Sequence, residues 1–208
     1  MKRKFLLIFL FPLMLQAEEA VFLDVPYFGQ GVEWPWGDEP YGYKSPAWVK
    51  ISLNGCALAS AAMVTAYYGV DMDPLELNQW LGEHDGYGQG YWRGIDIGYT
   101  NMHFSALSQL PEIESVTYYN YADRPADIEM IKQNIREGHP VLVTVIYEEV
   151  YGHFVVVYGF DGDILYLLDP IDKKALTVNF HYTYLDDARG SGPAKNIIGA
   201  VVIKGTRP

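Results

Sequence analysis

The chain has 208 residues, a single cysteine and a formal net charge of −11 at pH 7. This acidic balance argues against a nucleic acid partner, because contacts with the phosphate backbone require basic patches. Half of the residues are hydrophobic, so a chain of this length can bury the core of one domain without disulfide bonds.

Residues 1–17 have the three-part pattern of a secretory signal peptide. Residues 2–4 are basic, residues 5–15 are almost wholly apolar, and Ala17 offers a small residue for cleavage. The apolar run is shorter than the roughly 20 residues of a membrane span, and no later segment is long and apolar enough to cross a bilayer. We therefore expect export to the periplasm or the extracellular space, with one domain over residues 18–208. Loss of the three basic residues changes the net charge to −11 − 3 = −14.

Residues 27–48 place aromatic residues among glycine and proline, in a spacing that fits neither a helix nor a strand. We expect a long loop, and long loops in compact domains are often functional. Residues 84–100 are also rich in glycine and aromatic residues, and we expect a second loop there. The aromatic rings either cover an edge of the core or form a platform for a sugar or a peptide. The candidate substrate-binding residues in these segments are Trp34, Trp36, Trp48, Tyr91 and Trp92.

Four segments carry helix signals. A first helix is predicted over residues 56–68, and its alanines permit close approach of neighbouring backbone, so we expect it to be central. A second helix begins at Asp73, which can cap the exposed amides, and Glu76 can complete a capping box. Residues 102–110 favour a short helix, and residues 125–137 favour a longer one with isoleucines on one face.

Beyond residue 140 the sequence changes to β-branched and aromatic runs that are separated by turn residues, which predicts strands. The predicted strands are Val141–Tyr147, His153–Gly159, Asp163–Asp169, Ala175–Phe180 and Ile197–Lys204. Helices that precede an antiparallel sheet indicate an α+β fold.

The single cysteine, Cys56, lies at the start of the first predicted helix. A lone thiol in an exported chain cannot be half of an internal disulfide, so Cys56 is either a buried structural residue or a nucleophile. The unpaired amides and the dipole at a helix start favour the thiolate, which is the reactive form. A nucleophile also needs a base, and His153 stands out among the five histidines because it begins a buried-looking strand. Taken alone, each of these two residues is more often structural.

The strand after that of His153 ends at Asp169. If residues 160–162 form a three-residue hairpin loop with Gly162 left-handed, His153 and Asp169 lie directly opposite each other on one face of the sheet. A two-residue loop over residues 161–162 would shift the register by one and turn Asp169 to the other face. The pairing of His153 with Asp169 therefore predicts a left-handed Gly162. No ligand spacing of the zinc type is present, and neither a metal nor another cofactor is expected.

Four motifs occur in an order that resembles papain-like cysteine peptidases. They are Asp24–Gln30, Gly55–Met63, Gly152–Gly159 and Leu168–Pro170. The chain looks most similar to the group related to double-glycine, bacteriocin-processing peptidases, which is cysteine-peptidase family thirty-nine and its look-alikes. The resemblance implies an α+β papain-like fold, in which N-terminal helices carry the nucleophile at a helix start and pack on a C-terminal antiparallel sheet.

The same resemblance implies a role for each residue of the site. Cys56 would attack a carbonyl carbon, His153 would pair with the thiol and later protonate the leaving amine, and Asp169 would hold the imidazole. The side-chain amide of Gln30 and the backbone amide of Cys56 would stabilise the oxyanion. This chain departs from many relatives in having Ala57 after the cysteine and a long aromatic segment between Gln30 and Cys56.

The sequence thus predicts an exported papain-like cysteine hydrolase, a thiol protease that cleaves a peptide or amide bond through a thioester. Its partner would be a peptide or peptidoglycan-like substrate. A catalytically silent domain that binds peptide or cell-wall glycan through its aromatic loops would carry the same motifs, and acyl transfer by the same three residues is a third possibility. The first two hypotheses differ in whether the Cys56 thiol lies near a ring nitrogen of His153.

Overall fold

The computed structural model describes residues 20–121, 124, 126–147, 150–162, 164–171 and 197–207. The expected signal peptide over residues 1–17 and the predicted strand over residues 175–180 lie outside these described residues, as do residues 125 and 163 at the starts of a predicted helix and a predicted strand. Within the described part of the chain, no helix has the length and apolar character needed to span a membrane.

The described residues form eight strands, four α-helices and one 3₁₀ helix. In chain order these elements are β1 (Val21–Phe22), α1 (Ile51–Asn54), α2 (Cys56–Tyr67), α3 (Pro74–Glu83), β2 (Tyr87–Trp92), β3 (Ile95–Met102), the 3₁₀ helix (Phe104–Gln109), β4 (Ile113–Asn120), α4 (Ile128–Arg136), β5 (Val141–Tyr147), β6 (Val150–Asp161), β7 (Ile164–Leu168) and β8 (Ile197–Gly205).

The predicted helix α2 is present with both of its predicted ends to within one residue, and α3 begins where the sequence predicts. Residues 57–65 of α2 are all buried, because alanines let this helix pack closely on several sides at once. Gly69 follows α2 with a φ of 93°, a left-handed conformation that ends the helix and that glycine adopts readily. The first turn of α3 has the predicted capping box, in which Asp73 accepts from the amide of Glu76 and the Glu76 side chain accepts from the amide of Asp73.

Six strands form one sheet in the order β1-β6-β5-β8-β4, with β7 also pairing with β6. Every strand pair in it is antiparallel, which matches the α+β prediction. Helix α2 packs on one face, where Val156 of β6 joins its core cluster. Helix α4 packs on the other face, where Val155 and Val157 join the isoleucines of that helix. Alternate side chains of β6 therefore pack into two different hydrophobic cores, one on each face of the sheet, and β6 is buried between these cores.

The loop predicted over residues 84–100 is wrong, since β2 and β3 pair there as an antiparallel hairpin. Arg93 and Gly94 turn the chain with φ values of 49° and 78°. Gly88 and Gly90 have low strand propensity, but they lie where the register of the hairpin shifts and where a Cβ would collide with a neighbouring side chain. These glycines therefore mark irregularities within strands rather than a loop. By contrast, the described structure has no helix or strand over residues 27–48, as expected.

The predicted register of the β6–β7 hairpin is also wrong. Asp161 pairs with Ile164, so the turn between them is one residue shorter than predicted, although Gly162 is left-handed with a φ of 54°. The register then shifts inside β6, because Tyr158 and Gly159 together face Tyr166. This bulge takes back one position of the difference, and an offset of two from the predicted register remains. If the pairing beyond the bulge is continued by one residue, position 169 lies level with position 155 rather than with position 153.

Candidate active site

A cavity of about 260 Å³ opens beside Cys56. Its walls come from the segment before α1, from α1 and the start of α2, from β3 and the 3₁₀ helix, and from the first part of β6; they include Tyr41, Asn54, Ile97, Phe104 and Phe154. Since β6 packs against α2, the sheet brings His153 towards the first residue of the helix.

Gly55 positions Cys56 by joining α1 to α2 without an intervening loop. Its amide donates to the carbonyl of Ile51 at 2.7 Å. A Cβ on Gly55 would lie 2.6 Å from the same carbonyl oxygen, so the close approach of the two helices requires glycine. Cys56 is partly exposed, its thiol is free, and it lies at the helix end where the dipole favours negative charge.

His153 lies between Cys56 and Asp169. Its Nε2 is 2.8 Å from Asp169 Oδ1, and its ring lies close enough to Cys56 for the thiol to raise the pKa of His153. Because Nε2 faces the carboxylate, Nδ1 is the ring nitrogen that remains for the thiol. Both His153 and Asp169 are buried, so little water competes for these contacts.

The surroundings of His153 favour its charged form. Burial lowers the pKa of His153, but the hydrogen bonds and charges of Asp169 and Cys56 outweigh this effect and raise the pKa to about 9. The imidazole is therefore mainly protonated at neutral pH and can give up a proton within the cavity.

Asp169 is held by one main-chain donor and one side-chain donor. Its Oδ1 also accepts from the amide of Ile171 at 2.8 Å, and its carbonyl oxygen accepts from the hydroxyl of Tyr27 at 2.8 Å. The next carbonyl, of Pro170, accepts from the amide of Gln30 at 2.8 Å. The start of the aromatic segment is thus fastened to the residues that carry the carboxylate.

Gln30 lies close to the helix that precedes Cys56. Its Nε2 donates to the carbonyls of Ser52 at 3.1 Å and Ile51 at 3.5 Å, so the amide is tied to α1. Gln30 is buried, and its Oε1 has no hydrogen-bond partner among the described residues. The long sequence between Gln30 and Cys56 therefore folds back, so that Gln30 contacts the first turn of α1. Gln30 does not line the cavity beside Cys56.

The five aromatic candidates lie in three places: a buried pair in the core, one exposed residue outside the cavity, and a pair next to the cavity. Trp36 is 5% exposed, donates from Nε1 to the carbonyl of Gly29 at 2.8 Å and stacks on the half-buried Trp34, so this pair covers the core and does not line the cavity beside Cys56. Tyr91 is 68% exposed and also lies outside that cavity. Trp48 and Trp92 meet edge to face, with ring centroids 5.9 Å apart, next to the cavity.

A family model described as the Peptidase_C39 like family matches residues 22–189. The chain belongs to this family of peptidases.

One solved structure of a C39-like peptidase has the same fold. A crystal structure described as a C39-like peptidase from Bacillus anthracis is similar over 91% of this chain and 100% of that chain, with a TM-score of 0.51 and 19% identity. The peptidase domain of Streptococcus ComA, described as a bifunctional ABC transporter involved in a quorum-sensing pathway, covers 81% of this chain and 99% of its own, with a TM-score of 0.46 and 14% identity. A comparison with curated proteins gave no match.

Two residues of this C39-like chain contribute to the site without a sequence signal strong enough to single them out. Tyr41 is buried and lines the cavity, and both burial and the charge of Cys56 raise the pKa of its hydroxyl. Ser60 Oγ donates to the carbonyl of Phe154 at 3.1 Å and so ties α2 to β6 beside His153. Tyr41 is one of many aromatic residues in its segment, so the sequence does not distinguish it. A serine within an apolar helix is a weak signal that its hydroxyl has a buried hydrogen-bond partner.

The described residues of this family member contain no cluster of three or more histidine, cysteine, aspartate or glutamate side chains that can hold a metal ion. Of the three candidate catalytic groups, the Cys56 thiol lines the cavity, and the His153 imidazole and the Asp169 carboxylate follow behind it in a row. Such a row is suited to nucleophilic attack on a carbonyl carbon.

Proposed function

We propose that the chain is an exported cysteine peptidase that hydrolyses a peptide or amide bond with Cys56 as nucleophile, His153 as acid and base, and Asp169 as the group that orients the imidazole. The observation that supports this proposal is the position of the His153 ring, which bonds Asp169 through Nε2 at 2.8 Å and lies close enough to Cys56 to be influenced by its thiol. Export rests on the sequence pattern of residues 1–17.

In the resting enzyme, the proton of the thiol would pass to His153. The raised pKa of His153, about 9, favours an imidazolium at neutral pH, and the end of α2 stabilises negative charge on Cys56. The thiolate is the reactive form of cysteine. Asp169 accepts from Nε2 and so leaves Nδ1 facing the sulfur.

Acylation would begin when the thiolate attacks the carbonyl carbon of the scissile bond. The carbonyl oxygen gains negative charge, which the backbone amide of Cys56 can stabilise at the helix start. His153 then gives its proton to the leaving amine, the carbon–nitrogen bond breaks, and a thioester remains on Cys56. In the second half, the neutral imidazole takes a proton from water, the hydroxide attacks the thioester, and the acid product leaves.

Gln30 would supply a second oxyanion donor through its remaining N–H. The Gln30 amide nitrogen carries two hydrogens, and the hydrogen bond to the Ser52 carbonyl at 3.1 Å uses one of them. That bond also fixes the amide against α1, so the donor needs little reorganisation when charge develops. The weaker contact with the Ile51 carbonyl, at 3.5 Å, is the one that would be given up.

Incubation with a mixed peptide library, read by mass spectrometry, tests the proposal. The wild-type chain should produce new peptide ends, while Cys56→Ala and His153→Ala should produce none above background. His84→Ala is a matched control, because that ring stacks on Trp80 and bonds its carbonyl in α3. Products equal to those of Cys56→Ala would refute hydrolysis, and peptides joined to an added amine would indicate acyl transfer instead.

A further inference from the structure

A second cavity, of about 370 Å³, lies against the one beside Cys56. Three residues, Val49, Asn54 and Ile97, line both cavities, so the two form one continuous cleft. The second cavity is completed by the exposed side chains of Trp48, Leu53 and Trp92.

Three separate elements build this second cavity. Trp48 comes from the aromatic segment, Leu53 from α1, and Trp92 from the β2–β3 hairpin. These side chains are 52%, 72% and 50% exposed, respectively, although each is large and apolar. A group of exposed apolar side chains that faces a cavity indicates a binding surface.

We propose that this cavity binds one bulky aliphatic or aromatic side chain of the peptide substrate, close to the bond that Cys56 attacks. The inference rests on the proposed function, since it assigns the occupant as part of the substrate. Its basis is the shared wall of the two cavities, because a peptide bound at Cys56 must place a neighbouring side chain in the adjoining space. The apolar lining then selects a side chain that gains from leaving water.

The lining argues against a sugar ring as the occupant. Five of the six residues that line the cavity are apolar, and the one polar residue, Asn54, already donates from Nδ2 to the carbonyl of Lys50 at 3.3 Å. Sugar hydroxyls buried there would lose hydrogen bonds to water and gain few in return. The rings of Trp48 and Trp92 are also inclined at 63° to each other, so they form two walls of a slot rather than one flat platform.

Two alkylating probes test this subsite without knowledge of the cleavage site. N-phenethyl iodoacetamide and N-hydroxyethyl iodoacetamide both react by attack of the Cys56 sulfur on the methylene carbon, with loss of iodide. Because Cys56 is the only cysteine, the mass increase of the chain reports its reaction alone. The ratio of the two rates, divided by the same ratio for N-acetylcysteine, measures the preference for an apolar group.

We expect wild type to prefer the phenethyl probe by about tenfold. Trp92→Ala and Leu53→Ser should bring the ratio close to that of N-acetylcysteine, and both positions are exposed enough for the fold to tolerate the change. Phe22→Ala is the matched control, because Phe22 is 48% exposed and pairs with Gly159, about 20 Å along β6 from His153. It should keep the wild-type ratio.

A wild-type ratio equal to that of N-acetylcysteine, or a ratio unchanged in both Trp92→Ala and Leu53→Ser, would overturn the subsite. Failure of the proposed function has a different signature. If His153→Ala alkylates as fast as wild type with both probes, the catalytic pair is wrong while the preference for the phenethyl group still stands.

Discussion

The charge of Asp169 controls the protonation of His153, and the substitution Asp169→Asn isolates that charge. Asparagine keeps an oxygen at the position that accepts from Nε2 at 2.8 Å, but it carries no charge. An opposite charge at this distance raises the pKa of a histidine by about 1–3 units, and the lowering effect of burial remains in the variant. We therefore expect the pKa of His153 to fall from about 9 to about 6–8.

An NMR titration of the chain labelled with ¹³C-histidine measures this change directly. The chain has five histidines, and the His153 resonance is assigned by its loss in His153→Ala. Asp161→Asn is the matched control, because Asp161 is an exposed carboxylate at the far end of the same strand. In Asp161→Asn, the pKa of His153 should remain about 9. A His153 pKa near 9 in Asp169→Asn would refute the assigned role of the carboxylate.

Three further predictions concern stability and geometry. The pKa of His153 is raised from 6.5 to about 9, so protonation of this residue stabilises the fold fully below about pH 6.5. This contribution of about 3 kcal/mol is lost as the pH rises through about 9. The unfolding free energies of wild type and His153→Ala in urea should therefore depend differently on pH, and parallel curves would contradict the prediction. Trp36→Ala should lower the unfolding free energy by about 3–5 kcal/mol, because the Trp36 side chain is buried. Trp48→Ala should lower it by about 1 kcal/mol or less, because the Trp48 side chain is exposed. Equal losses in urea unfolding would disprove this assignment of core and surface. Gly55→Ala forces a Cβ to within 2.6 Å of the Ile51 carbonyl oxygen. The substitution should slow alkylation of the neighbouring thiol and lower the unfolding free energy by about 1–3 kcal/mol. A wild-type alkylation rate together with a wild-type unfolding free energy would show that the close approach is not required.

Local signals were sufficient for α2 and α3, whereas the short helix α1 was not predicted. The capping box of α3 involves residues three apart, and the glycine that ends α2 acts within one turn, so both could be recognised from short stretches of sequence. The β2–β3 hairpin could not be recognised in this way. Its glycines are unfavourable for strands taken singly, and their positions make sense only against neighbours such as Thr100, whose side chain occupies the space beside Gly90.

The pairing of His153 with Asp169 illustrates how far register arguments reach. The sequence placed both residues in neighbouring strands, and the structure has a hydrogen bond between their side chains. The predicted three-residue turn is nevertheless wrong. The bulge at Tyr158 and Gly159 was also not predicted, since it has no clear signature in the sequence. The observed turn displaces the pairing by three positions from the predicted register, and the bulge takes back one of them. The remaining offset of two is even, so it does not turn Asp169 to the other face of the sheet.

The distribution of aromatic residues between core and cleft depended on packing that sequence does not encode locally. Trp36 and Trp48 occur in the same segment with similar neighbours, yet one is buried and the other is half exposed beside Trp92. Trp48 meets Trp92 because the hairpin is bound to the aromatic segment, where Tyr43 pairs with Tyr99. Contacts between such distant parts of the chain follow from the tertiary fold alone.

The rate of alkylation of Cys56 by iodoacetamide at neutral pH tests most directly whether His153 activates the thiol. With Cys56 as the single reactive thiol, the account predicts that wild type and His84→Ala react at the same rate, and that His153→Ala reacts about tenfold more slowly or worse. Circular dichroism of the three proteins verifies that they are equally folded. A His153→Ala chain that is folded and alkylates as fast as wild type would contradict the assignment of Cys56 and His153 as a catalytic pair.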